Sequence, residues 1–196
     1  MIINSAVDHA IDLIIGGFFF ACRICEVAKT PKPGLTKRLK LRNIVFRDAN
    51  LTVIAHDEDI LLAEFVTLVF EDQKNGERFE RRTQRRTSDP SLCPVLRLGR
   101  AVLRTLRFWI GANANTCLCV TSSNKVRSDF VTSELTLQII RQTCIQNNSV
   151  EEFGFDQTEV GNKSIRSAAA MALFMKNIHP TRVMILGRWR STTFLE

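Results

Sequence analysis

Lys163 and Arg166 stand three residues apart where an apolar helical pattern begins, and Arg188 and Arg190 flank Trp189 just past Gly187, where the next pattern ends. Basic groups at both ends of a helical pair suit one task, holding a phosphate between them. Near the other end of the chain Arg23 and Glu26, also three apart, sit in the apolar segment FFFACRICEVAK. A charge in such a setting must be paired or functional. On residue type alone Arg23 and Glu26 read equally well as a surface helix pair. Lys74 lies in Gln73-Lys74-Asn75-Gly76, a hairpin turn in which Asn-Gly supplies positive φ. A turn lysine by itself needs no function.

The elements that must position these residues follow from periodicity. Residues 4–29 read as one or two helices, with Ala6, Ala10, Leu13, Ile14 and Gly17 at helical spacing. Residues 30–40 are a basic loop broken by Pro31, Pro33 and Gly34. Short strands are expected over 41–46, 51–54 and 65–71, with 79–83 as a return strand; Val66, Leu68 and Phe70 alternate with Thr67 and Val69. A helix is expected from Leu92 through about Trp109. Its Arg97, Arg100, Arg104 and Arg107 form one basic stripe, and Leu96, Val102, Leu103 and Leu106 supply apolar surface. Residues 111–120 read as a loop ending in a short extended piece. A further helix is expected over 128–147, capped by Ser128 or Thr132, followed by a loop over 148–160. The last helical pair carries an apolar face of Met171, Phe174 and Met175, then a turn at His179-Pro180. The fold class expected is α+β, mainly helical with a small antiparallel three-stranded sheet, in one domain over 1–196.

The composition is that of an ordinary folded domain, 45% apolar and 24% charged, with a net charge of +7 that favours an anionic partner. Arg81, Arg82, Arg85 and Arg86 make a run that is either a solvated face or a surface for DNA backbone. Six cysteines are present; Cys22 and Cys25 form a CxxC, but no partner pair stands at zinc spacing. All but Cys93 lie in apolar surroundings, so buried reduced thiols in an intracellular protein are expected. The run over 11–22 is too short and too interrupted for a membrane span. No metal, cofactor, membrane or small-molecule substrate is expected.

In order and in wording these boxes resemble the catalytic domain of the tyrosine recombinases, the phage-integrase-like enzymes. Arg23-Ile24-Cys25-Glu26 is similar to the family's Arg-x-x-Glu box, Lys163-Ser164-Ile165-Arg166 to its His-x-x-Arg box, and Leu186-Gly187-Arg188-Trp189 to its Leu-Gly-His or Gly-Trp box. FFFACRICE, EDQKNGERFERRT, LCPVLRL, NKSIRSAAAMALF and MILGRWRSTTFLE are similar in wording to recombinases of Crypton-type and DIRS-type mobile elements of eukaryotes, over nearly the whole chain. The resemblance implies a DNA-binding domain for recombination or integration by phosphoryl transfer, with no metal or cofactor. Arg23 and Arg166 would clamp the scissile phosphate, and Lys74 would be the general acid. Arg188, by count, or Trp189 beside it would hydrogen-bond the phosphate, and Glu26 would be a structural partner. Lys163 holds the family's histidine position, where a lysine donates but is a poor base. The sequence has no tyrosine, and the nucleophile position falls just past Glu196. The expectation is a domain truncated before its nucleophile and lacking the N-terminal core-binding domain, inactive alone. The resemblance implies double-stranded DNA as partner, contacted also by Arg81, Arg82, Arg85, Arg86, Arg97, Arg100 and Arg104, a homo-oligomer on DNA, and a nuclear location. The competing reading is a degenerate helical protein-interaction domain without DNA binding.

Overall fold

The computed structural model describes residues 6–32, 36–73, 76–109, 111–124, 127–161 and 163–191. The architecture is α+β, with helices packed around a small three-stranded antiparallel sheet and a separate two-stranded hairpin. No helix among the described residues is long and apolar enough to cross a membrane.

Helix α1 (Ala6–Phe19) buries His9, Ala10, Asp12, Leu13, Gly16 and Gly17 on one stripe. It packs against α3 (Pro94–Phe108), which starts with proline at its first turn behind Cys93. Gly16 permits the close approach, because a Cβ there would lie 2.7 Å from Leu98 Cδ2. Cys93, expected outside the apolar surroundings, is fully buried at that helix start.

The α1–α3 seam carries buried polar groups that satisfy one another. Asp12 accepts from Arg97 Nη1 at 3.0 Å and also pairs with Arg104 Nη1. His9 Nε2 lies 2.7 Å from the Leu118 carbonyl oxygen, which also accepts from Thr105 Oγ1 at 3.1 Å. A carbonyl can only accept, so His9 carries its proton on Nε2, and Nδ1 is buried with no hydrogen-bond partner. Burial, then the charge of Arg104, pushes the His9 pKa below its ordinary 6.5, against opposing effects of the Leu118 hydrogen bond and Asp12.

A depressed histidine pKa means that the unfolded chain binds a proton the folded chain refuses. Stability from His9 is therefore full above pH 6.5 and is lost as pH falls from there towards the folded pKa. Urea unfolding between pH 7 and 5 should show stability falling at up to about 1.4 kcal/mol per pH unit, the slope for one proton. His9→Gln should flatten that loss. A variant with the same pH dependence as the parent would overturn the assignment.

The sheet runs β1-β2-β3, with β1 (Ile44–Arg47), β2 (Phe65–Asp72) and β3 (Arg78–Arg85) antiparallel to their neighbours. Ile44 pairs with Leu68 and Leu68 with Arg82, so Ile44, Phe46, Val66, Leu68, Phe70, Glu80, Arg82 and Gln84 share the core side. Val45, Arg47, Val69, Arg81 and Arg85 share the outer side. Of the expected strands, 41–46 begins as a 3-10 turn over Leu41–Asn43, and 51–54 contributes only a bridge between Val53 and Arg47.

The hairpin is β4 (Val120–Asn124) with β5 (Arg127–Phe130). It claims the residues at which a helix was expected to start. Helix α4 (Ser133–Gln146) begins later, where the Thr132 hydroxyl accepts from the Leu135 amide at 3.2 Å. Pairing across the hairpin and this cap together outweigh the apolar spacing that ran back to Phe130. The expected loop over 148–160 contains α5 (Ser149–Phe153) and a 3-10 turn over Gln157–Glu159. The chain closes with α6 (Ser164–Met175) and α7 (Pro180–Gly187). The buried face of α6 is Ile165, Arg166, Ala169 and Ala170, while Met171, Phe174 and Met175 point outward.

Candidate anion site

After α1 the backbone turns through Ala21 at φ 46° and sets Arg23 as the N-cap of the short α2 (Ile24–Val27). Glu26, at the third position of that turn, accepts from the Arg23 amide through Oε2 at 2.8 Å and from Arg23 Nη1 through Oε1 at 3.2 Å. Its side chain is 0% exposed. A second guanidinium reaches it from far along the chain, with Arg188 Nη2 donating to Oε2 at 2.7 Å.

Arg188 enters the interior because it terminates α7 in the left-handed conformation, at φ 58° and ψ 42°. Its side chain is 0% exposed, and its guanidinium carbon lies 3.5 Å from the centroid of the Phe70 ring. Nη1 donates to the Phe20 carbonyl at 3.3 Å and Nη2 to that of Ala21 at 3.4 Å. The structure places Arg188, the expected phosphate contact, in an ion pair with Glu26. Enclosed by Glu26, Phe70 and two carbonyls, with its Nε buried and unpartnered, it braces the turn carrying Arg23.

Arg166, on the first turn of α6, meets the same cluster. Its Nη2 donates to the Gly187 carbonyl and its guanidinium carbon sits 4.4 Å from the Trp189 ring centroid. Nε is buried without a hydrogen-bond partner. Burial, followed by the charges of Arg23 and Arg188, pushes the Arg166 pKa down to about 10, so it stays protonated at neutral pH. Trp189 is half-buried and its ring lies against Gly187, where any Cβ would collide with it. A glycine at that position lets the indole fold back over Arg166.

Three guanidiniums around one carboxylate leave two positive charges uncompensated within the cluster. Arg23 is its accessible member, with a side chain 23% exposed. Its Nη1 also donates to Gln73 Oε1 at 3.4 Å, and Gln73 in turn holds Glu80. Arg82 closes the rim, donating to Glu80 Oε1 at 2.7 Å and to the Ile185 carbonyl at 2.7 Å, which ties β3 to α7. Such a nest of fixed donors with excess positive charge fits a small anion or a phosphate group. Lys163 is exposed at the N-cap of α6, beside this opening in sequence. Among the described residues no group of histidine, cysteine and acidic side chains is placed to hold a metal ion.

The structure thus gathers Arg23, Glu26, Arg166, Arg188 and Trp189. Lys74 lies outside the described residues. The arginine run is divided by the strand's two-residue period. Arg82 faces the cluster, while Arg81 and Arg85 project from the outer side of the sheet, Arg85 pairing with Glu64 at 2.7 Å. Arg86 is held by the Ala63 carbonyl at 2.7 Å and by that of Leu61. The stripe on α3 is likewise not one free basic face. Arg97 and the buried Arg104 turn to Asp12, and Arg100 is half-buried. Arg97 and Arg104 pair with Asp12 on α1, because a buried carboxylate needs them.

Gln73, Glu80 and Phe70 were not legible as site residues. Gln73 reads as the first residue of a turn, and only the pairing of β2 with β3 brings it to Arg23. No family model, no curated protein and no solved structure matches this chain.

Proposed function

We propose that this chain is a DNA-binding domain of the tyrosine-recombinase type whose chemistry is recognition of a backbone phosphate. The observation that carries the reading is the buried excess of positive charge where Arg23 and Arg166, distant in sequence, meet around Glu26. In this reading Arg23 and Arg166 take the nonbridging oxygens, Trp189 shields one side, and Lys163 donates from the rim. Arg188 positions Arg23 through Glu26 and touches no substrate. Lys74 keeps, by resemblance alone, the general-acid role. The reading assigns no covalent step to these residues. The partner would be double-stranded DNA and the location nuclear.

Fluorescence titration of a random duplex at several salt concentrations tests this. Affinity should fall with a log–log slope of about −0.9 for each phosphate neutralised. A slope near zero would favour the protein-interaction reading, whose specific support is the outward apolar face of α6.

A further inference from the structure

Two neighbouring stretches carry opposite charge and leave large apolar side chains in solvent. Between Arg141 and Lys163 the sequence has no basic residue but contains Glu151, Glu152, Asp156 and Glu159. There Phe153 is 66% exposed and Val150 57%, and the Phe153 and Phe155 rings stack at 6.3 Å. An open cavity of about 300 Å³, lined by Cys144, Ile145, Val150 and Glu151 among others, lies at the foot of this knob. The following stretch, 163–191, has no acidic residue. On α6 and α7 it exposes Met175 at 75%, Met171 at 59%, Ile185 at 57% and Phe174 at 52%, and Lys163, Lys176 and Arg182 are exposed on the same stretch. Among the described residues Glu151, Glu152, Lys163, Lys176 and Arg182 form no ion pair.

We infer that the acidic, aromatic α5 knob of one copy docks onto the basic, apolar α6–α7 face of a second copy, head to tail. Exposed apolar side chains gathered in this way mark an interaction site. The charge pattern selects the partner and the geometry. A twofold contact of either surface with itself would set like charges together, Glu151 and Glu152 on one side or Lys176 and Arg182 on the other. Joining the two different surfaces sets them against opposite charge. The cavity beside Val150 offers a place for a flexible apolar side chain, and Met175 is the most exposed such residue on the facing surface. A head-to-tail contact leaves one knob and one face unused in each dimer, so association continues beyond two copies.

Sedimentation velocity of the whole 196-residue chain without DNA tests this apart from the nucleic-acid reading. The parent should associate beyond a dimer by about 100 µM, a modest affinity for such a contact. Glu151→Lys with Glu152→Lys, and separately Lys176→Glu with Arg182→Glu, should each raise the dissociation constant at least about tenfold. Mixing the two variants should restore association, because the unaltered face of one meets the unaltered knob of the other and the two reversed surfaces are again opposite in charge. Melting curves of every variant establish that it folds. Should a charge variant not fold, Phe153→Gln and Met175→Gln, which leave charge unaltered, must each weaken association instead. A monomeric parent, a folded variant that associates like the parent, or a mixture that stays monomeric would overturn the inference.

Discussion

Glu26→Ala is expected to destabilise the protein by about 3–5 kcal/mol, the cost of leaving a buried charge unpaired. The carboxylate is the sole anionic partner of Arg188 among the described residues, and Arg188 is wholly enclosed. Removing it strands that guanidinium against the Phe70 ring, with Arg166 repelling it. Domains of this size have about 5–15 kcal/mol in total, so the loss is a large share. Chemical unfolding measures it directly. The double variant Glu26→Met with Arg188→Met should recover much of the loss, because two apolar side chains of similar length need no partner. A single variant that loses less than about 1 kcal/mol would show that water reaches Arg188.

Arg23→Ala is expected to weaken duplex binding about 10- to 100-fold, the value of one charged hydrogen bond to phosphate of about 1.5–3 kcal/mol. Its effect on folding should be small, since Arg23 is partly exposed and Glu26 keeps Arg188. Arg23→Lys should recover only part of the affinity, because an ammonium cannot present the paired donors of a guanidinium. Arg81→Ala is the control from the outer side of the sheet, and it should cost about one phosphate of salt slope and little more. If Arg23→Ala and Arg81→Ala weakened binding equally, DNA would be held by diffuse charge and the Arg23–Arg166 cluster would not be its site.

Much of the α+β architecture was legible because it rests on local signals. The alternation of Val66, Leu68 and Phe70 marked β2, and the glycines and apolar spacing of α1 marked a buried helix. Proline at the start of α3 and Thr132 ahead of α4 announced helix ends. The β4–β5 hairpin was not legible. Its strands contain Ser122, Ser123, Ser128 and Asp129, which carry little apolar alternation. The pairing of the two strands holds them, and a single stretch does not display it.

The arginines divide on the same line. The amino-acid sequence by itself determined the charge excess, the segments bearing it, and the candidates Arg23, Glu26, Arg166 and Arg188. It grouped Arg81 and Arg82 in one run, and only their register on β3 sends them to opposite sides of the sheet. Which arginines stay available for a ligand was decided only by tertiary structure. Arg188 meets Glu26 across 162 residues, and Arg104 meets Asp12 across 92. The free energy of a buried carboxylate without a partner is large enough to draw these guanidiniums inward, whatever their neighbours in sequence. Arg23 keeps an exposed edge because the same carboxylate is already occupied from behind by Arg188.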